Sequence, residues 1–377
     1  MSKTLLPAGC YDLLPPSARQ ESELSSALLC VFESFGYEQV SPPLMEYSDS
    51  LLAGRGAALS PQIFRSMDPM ANKVLGIRAD ITLQIARIAT SRLAHAPRPL
   101  RLCYNGLILR MQGEQLKDER QLRQAGIELI GAASPDADAE VILVAAEALK
   151  KAGITKLSID LNLPGIVGSL LADEKLDNEQ AEKLFAAVAH KDVSAVRAMT
   201  FKYRDSLIAL LQCAGPAEAA LACIERLGLP EDAKQQFRDL KEVIDILSAK
   251  GNKDWTLTID PAENRGLAYH SGISFSIFAP GAACEVGRGG RYLIEGQNTA
   301  HDVQATGFTL YVETLRSLLP EPKRGKRILV SSKDDSAKLR AEGYITVHVL
   351  SEYGLSEDEA KRLGCQFIYT GGKAKPL

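Results

Sequence analysis

One ten-residue segment combines residue types and spacing that suit the floor of a small-ligand site. Gln121–Ile130 alternates with a period of two, so Gln124, Gly126, Glu128 and Ile130 share one side of an extended strand. Ala125, Ile127 and Leu129 share the other side, which is apolar and belongs to packing. The polar side sets an amide and a carboxylate on either side of a bare glycine, which leaves room above it. Arg110 closes the preceding strand-like run and faces the same polar loop, Met111–Arg120. A solvent-facing strand would show the same alternation; the guanidinium separates the two readings. Gln, Glu and Arg around one hairpin suit a ligand with both cationic and anionic groups.

The hairpin needs elements to hold it. Leu100–Tyr104 with Leu107–Leu109 reads as one strand and Gln121–Ile130 as its antiparallel partner. Upstream, Leu24, Ala27, Leu28, Val31, Phe32 and Phe35 recur at helical spacing over Ser17–Phe35, and Gly36 suits a C-cap. A strand-like run from Tyr37 to Leu44 stops at Pro42-Pro43, and residues 74–94 read as a second helix closed by Pro97 and Pro99. Downstream, 138–152 reads as helix and 155–163 as strand. Residues 165–252 change to Ala, Leu, Glu and Lys at helical period and read as a separate all-helical insertion. Strands resume at 255–260 and 274–278, then a Gly-rich turn and a helix over roughly Thr306–Leu319 complete a core of 1–164 and 253–320. After the linker Pro320–Gly325, residues 326–377 read as a small β-α-β unit.

Bulk properties exclude several classes. A formal net charge of -3 removes the basic surplus expected of a nucleic-acid binder. The seven cysteines are odd in number and form no Cys-x-x-Cys, so reduced, mostly buried thiols are expected, without disulfides or zinc. The five histidines lie far apart and no metal or cofactor is expected. The N-terminus lacks the apolar core of a signal peptide, and the longest apolar run, Val141–Ala146, is far too short to span a bilayer. A cytoplasmic location follows as the expectation.

Arg110, Arg120, Gln124 and Glu128 in one hairpin resemble motif 2 of class II aminoacyl-tRNA synthetases, in the histidyl-tRNA synthetase version. Further segments agree, in family order. Pro7–Pro15 and Val40–Glu46 resemble the opening and motif 1. Arg78-Ala79-Asp80-Ile81-Thr82 resembles the Arg-Pro-Glu-Gly-Thr element that contacts the amino acid. Asn264–His270 resembles the histidine-specific Arg-Gly-Leu-Asp-Tyr-Tyr motif, and Gly289-Gly290-Arg291-Tyr292 the start of motif 3. The resemblance covers roughly residues 5–320. It implies an α+β fold, an antiparallel sheet flanked by helices with a helical insertion. It implies that Asp80, Thr82, Gln124 and Glu128 line a pocket for the histidine amino group and ring. Arg265 would then face the carboxylate, with Tyr269 and His270 near the imidazole. Arg110 and Arg291 match positions that grip nucleotide phosphates.

Four departures point away from aminoacylation. The motif 2 loop reads Lys117-Asp118-Glu119-Arg120 where the family has Gly-Arg-Tyr-Arg, which sets acids beside a nucleotide. Ala268 and His270 replace Asp and Tyr, and Leu293 replaces the Asp after Tyr292. The region after residue 323 is about half the length of an anticodon-binding domain. Removing one charge-stabilising donor typically costs 10²–10³ in rate, so several losses disfavour a ligase. A histidine pocket without ligase machinery resembles the paralogous regulatory subunits of ATP phosphoribosyltransferase. That resemblance implies a short-form catalytic subunit as partner, histidine as feedback effector, and a homodimer within a hetero-oligomer, with no tRNA. The competing reading is a histidyl-tRNA synthetase with a reduced anticodon domain.

Overall fold

Leu24, Leu28, Val31 and Phe32 form the buried stripe of α1 (Ser17–Ser34), and Gly36, at φ +82°, turns the chain out of it. This is the first element of a computed structural model that describes residues 5–113, 118–172, 174, 176–250, 254–263, 270–295, 302–323, 325–331, 333–350 and 354–377. The strand-like run after α1 yields only β1 (Glu38–Gln39), with β2 (Met45–Tyr47) beyond the prolines. Next come α2 (Ser48–Leu51), a 3-10 helix (Gly54–Gln62), β3 (Phe64–Asp68) and β4 (Lys73–Ile77). β2, β4 and β3 form a small antiparallel sheet. The helix expected over 74–94 is therefore wrong at its start. Val74–Ile77 pair with β2 and β3, Gly76 fits tightly against Leu51 and Ile63, and the helix α3 spans only Thr82–Thr90.

β5 (Leu100–Leu109) and β6 (Gln121–Ile130) form the expected antiparallel hairpin, in register from Leu100↔Ile130 to Leu109↔Gln121. α4 (Pro135–Lys151) starts on a Ser134 cap, with Asp136 and Asp138 in its first turn and Lys150 and Lys151 in its last, as the helix dipole favours. β7 (Leu157–Asn162) follows. The insertion folds as α5 (Pro164–Leu171), α6 (Asn178–Ala189), α7 (Val193–Arg197), α8 (Arg204–Gln212), the short β8 (Gly215–Pro216), α9 (Ala217–Ile224) and α10 (Glu231–Ala249). Its Val167, Leu184, Leu207 and Leu240 join the same buried cluster as Ile159 and Phe275 of the sheet.

β9 (Trp255–Asp260), β10 (His270–Phe278), β11 (Gly287–Ile294), β12 (Val303–Tyr311) and α11 (Val312–Leu318) complete this unit. The Gly-rich turn and the helix from Thr306 are thus corrected: both regions are central strands, and the helix begins at Val312. The nine-stranded sheet runs β1-β5-β6-β12-β11-β10-β7-β9-β8. It is antiparallel except for the β1/β5 and β7/β9 pairs, so the expected antiparallel sheet is mixed. Ala125, Ile127, Leu129, Phe275, Ile277, Phe308 and Leu310 point to one face, where α1, α4, α5 and α10 cover them. The other face carries Gln124, Glu128, Ser274 and Thr309, together with a second apolar cluster in which Leu102, Ile108, Leu122 and Ile130 pack against Ile81 and Ile85.

The thiols also depart from expectation. Cys213, at the C-terminus of α8, is bonded to Cys223 of α9 across a sequence separation of 10. The C-terminal ends of α8 and α9 bring the Cα atoms to 5.7 Å, which no spacing rule exposes. Of the five free cysteines, Cys103 and Cys365 are buried and Cys30 is exposed.

Residues 14–20 and 320–377 make a second compact unit. It contains β13 (Arg327–Val330), α12 (Lys333–Ala341), β14 (Ile345–His348), α13 (Glu357–Arg362), β15 (Phe367–Thr370) and β16 (Lys373–Pro376). The expected β-α-β is extended by a second helix and two strands into the sheet β14-β13-β15-β16. Leu329, Ala360, Cys365 and Ile368 form part of its core.

Candidate functional site

The register of the central sheet builds the site. On the face not covered by α1 and α4, Leu102, Glu128, Gly307, Gly290, Ser274 and Asn162 lie side by side across six strands. The adjacent row is Tyr104, Gly126, Thr309, Arg288, Ser276 and Asp160. A cavity of about 340 Å³ sits over these rows, closed by Asp80, Thr82 and Leu83 at the start of α3 and by Ala58 and Leu59. Gly307 and Gly290 are its open floor. A Cβ on Gly307 would lie 2.0 Å from Glu128 Oε2, so only glycine leaves that carboxyl its place.

Glu128 is 1% exposed and accepts a hydrogen bond from the Tyr292 hydroxyl at 2.9 Å. Burial pushes its carboxyl up to about 8; the Tyr292 and Thr82 hydroxyls pull it down and the Asp80 charge adds to the rise. At neutral pH the group is mostly protonated. A cationic or N–H-donating ligand placed against it draws it toward the ionised form, so the position senses such a group.

Asp80 is held rigidly. Its Oδ1 accepts from the Thr82 amide at 2.9 Å and its Oδ2 from Gln124 Nε2 at 2.8 Å. Gln124 Oε1 accepts in turn from the Ile81 amide at 3.0 Å. Arg78, buried behind this turn, donates to the carbonyls of Leu107 (2.7 Å) and Pro42 (2.9 Å) and to Gln84 Oε1 (3.1 Å). The bonds to Gln124, Leu107 and Pro42 join the 78–82 turn to β6, to β5 and to the loop before β2, which pre-organises Asp80 and Thr82 at the cavity wall.

The structure therefore brings Asp80, Thr82 and Glu128 together in the cavity and sets Gln124 directly behind Asp80. The space above Gly126 is not open, contrary to the sequence reading. The Tyr104 hydroxyl fills it, 2.6 Å from where a Cβ would stand, and hydrogen-bonds to Thr309 Oγ1 at 2.7 Å. Arg110 is buried, with its Nε 3.5 Å from the Ala79 carbonyl. Arg291 lies on the helix-covered side of β11, paired with Asp138 of α4 at 2.6 Å and donating to the Ala133 carbonyl at 3.3 Å. Neither arginine lines the cavity. Asp118 and Glu119 precede Arg120, whose guanidinium stacks on Phe64 and donates to the Ala8 carbonyl. Arg265 and Tyr269 lie outside the described residues, as does the side chain of His270, whose backbone opens β10.

Sequence reasoning assigned no role to Tyr292, Arg288, Ser274, Asp160 or Glu285, all of which line the cavity. For Arg288 and Tyr292 the signal was the alternation with Gly290 along β11, hidden by the glycines. Arg288 stands 3.5 Å from Glu285 Oε1, which also accepts, through Oε2, from the Ser276 hydroxyl at 3.2 Å. Asp160 accepts from the Thr258 hydroxyl at 2.6 Å, and burial raises its pKa. Among the described residues no cluster of His, Cys, Asp and Glu could hold a metal, and no helix is long and apolar enough to cross a membrane.

Comparison with known proteins agrees with this architecture. A sequence profile described as histidyl-tRNA synthetase matches residues 9–315. A Rhodospirillum centenum protein named ATP phosphoribosyltransferase regulatory subunit is 42% identical over 379 residues, covering 100% of this chain and 97% of that one. A Paramagnetospirillum magneticum protein of the same name is 44% identical over 368 residues, covering 97% and 96%. A crystal structure from Bacillus halodurans, described as an ATP phosphoribosyltransferase regulatory subunit/histidyl-tRNA synthetase, superposes with a TM-score of 0.84 at 25% identity, covering 98% of this chain and 99% of that one. Relatives of this identity, matched end to end, settle the kinship: the chain belongs to the family of ATP phosphoribosyltransferase regulatory subunits, built on the histidyl-tRNA synthetase fold.

Proposed function

We propose that this chain is the non-catalytic partner of a short-form ATP phosphoribosyltransferase catalytic subunit, and that its cavity binds free histidine as the feedback effector. The observation that carries this reading is the buried Glu128 carboxyl, bonded to Tyr292 and Thr82 beside a glycine floor, with Asp80 fixed opposite. Those groups suit an amine and an imidazole N–H. The engagement of Arg291 with Asp138, and of Arg110 in the interior, supports loss of nucleotide handling. Histidine acts by linkage: it binds one state of the hetero-oligomer more tightly and shifts the population toward the inhibited one, with reciprocal coupling. A homodimer inside that assembly, without tRNA, completes the proposal.

The test is reconstitution. Mixed with a short-form catalytic subunit, the chain is expected to raise phosphoribosyltransferase activity and to make it sensitive to histidine. Glu128→Gln and Asp80→Asn should each weaken inhibition roughly tenfold or more, on the scale of one charged hydrogen bond. Unchanged inhibition in both variants would move the effector site elsewhere, to a subunit interface for instance. Histidine-dependent ATP–pyrophosphate exchange by the chain alone should be absent, and robust exchange would restore the ligase reading.

A further inference from the structure

We propose that Glu313, Arg316 and Tyr11 form a proton-controlled clasp, which fastens the N-terminal strap, residues 7–13, to α11 when Glu313 is ionised.

Two buried polar atoms mark the place. Glu313 Oε2 and Arg316 Nε each lack a hydrogen-bond partner among the described residues. They belong to residues three apart in α11, which are neighbours on one face of a helix. An acceptor without a donor thus stands one turn from a donor without an acceptor. Buried polar groups are nearly always bonded, and this arrangement is the open form of a contact that closes. The other groups around Glu313 are already engaged. Its Oε1 accepts from the Arg123 amide at 2.5 Å, while the Arg123 guanidinium is turned to Glu21 at 2.8 Å and to Asn105 at 3.0 Å.

Tyr11 supplies the third part. Its hydroxyl hydrogen-bonds to the Arg316 side chain and faces the Glu313 and Glu119 carboxylates. Burial, and then the Glu313 charge, push the phenol above its ordinary value, so it keeps its proton through the neutral range. Further up the strap, the Gly9 carbonyl accepts from the Arg120 amide at 2.9 Å and the Ala8 carbonyl from the Arg120 guanidinium at 3.3 Å. Arg120 closes the loop between β5 and β6, so a strap fastened also at Tyr11 braces that loop.

Glu313 changes charge near neutrality. Burial raises its carboxyl to about 7 against the pull of two backbone amides, its own and that of Arg123; the Glu21 charge adds to the rise and the Arg123 charge opposes it. Below that value the group is a neutral acid and makes little demand on Arg316. Above it, a desolvated carboxylate needs donors. The Arg316 Nε–H, one turn along the helix, and the Tyr11 O–H are the donors at hand. A guanidinium carries five N–H donors in a planar fork, so Arg316 holds Glu313 on one edge and Tyr11 on another.

Hydrogen exchange on the full-length chain, corrected for the intrinsic effect of pH, tests the clasp between about pH 6 and about pH 8. Protection of the amides of residues 10–13 is expected to rise roughly threefold to tenfold across that interval. The general loss of stability from titrating buried carboxyls runs the opposite way, so a rise is specific to the clasp. Glu313→Gln should make the response flat. Tyr11→Phe and Arg316→Gln, at partly exposed positions, should each do the same, which keeps the test open if the buried substitution upsets folding. Protection that stays flat or falls in the unaltered chain would overturn the proposal, as would a rise that survives in any of the three variants.

Discussion

Glu128 has a consequence for stability that is separate from ligand binding. Its folded carboxyl titrates at about 8 and that of Glu313, raised chiefly by burial, at about 7, against 4.5 for both groups unperturbed. A carboxyl raised on folding contributes stability that is complete below the unfolded value and lost as pH climbs to the folded one. Both groups therefore lower stability as pH rises from about 5 to 7, and between 7 and 8 the larger share of the fall belongs to Glu128. Urea unfolding should show a fall of up to about 1 kcal/mol per pH unit in the upper interval. Glu128→Gln should flatten it there; an unchanged slope would mean that the carboxyl is not protonated in the folded chain. Asp80, Thr82, Gln124 and Glu128 were legible in the sequence because each sits in a short local motif. The Tyr292 hydroxyl on Glu128 and the Asp138 partner of Arg291 were not, since sequence separations of 164 and 153 residues depend on strand register.

At the scale of elements, the glycines of β11 and β12 decide whether there is a cavity at all. Gly307→Ala would set a methyl 2.0 Å from Glu128 Oε2 and 2.4 Å from the Ile127 carbonyl, where backbone cannot yield. It is expected to cost roughly 1–3 kcal/mol and to abolish histidine binding. Gly168→Ala, in the interior of α5 with open space around it, is the control and should gain about 0.5–1 kcal/mol. Denaturant curves on the two variants compare them directly, and equal behaviour would remove the steric account. The same glycines explain why this part of the sheet read as a turn and a helix: glycine is depleted in strands, so Gly287, Gly289, Gly290 and Gly307 mask the alternation around them. The hairpin of β5 and β6 was legible because Ala125, Ile127 and Leu129 keep an unbroken apolar side. The true start of α3 was not, because Val74–Ile77 form an apolar run that a sheet uses as readily as a helix.

Across the whole molecule, the Cys213–Cys223 bond ties α8 to α9 around β8, whose Gly215 and Pro216 pair with Ile259 and Thr258 of β9. Thr258 bonds Asp160 in the cavity, and Lys191 of the insertion pairs with Asp260 at the end of the same strand. Opening a loop of this length should cost roughly 3 kcal/mol in the chain-entropy picture. Hydrogen exchange with and without a dithiol reductant is the measurement. Amides of α8, α9 and β9 should exchange faster when reduced, and identical protection would show that the bond bears no strain of holding the insertion. The two margins of the large sheet have a different consequence. β1 and β8 are two residues long, and β8 ends on a proline, which has no amide hydrogen to offer. Such borders give another polypeptide almost nothing to zip onto, which guards the chain against ribbon-like self-stacking. At these two margins, a copy of the chain or a foreign subunit must therefore be met through side-chain surfaces.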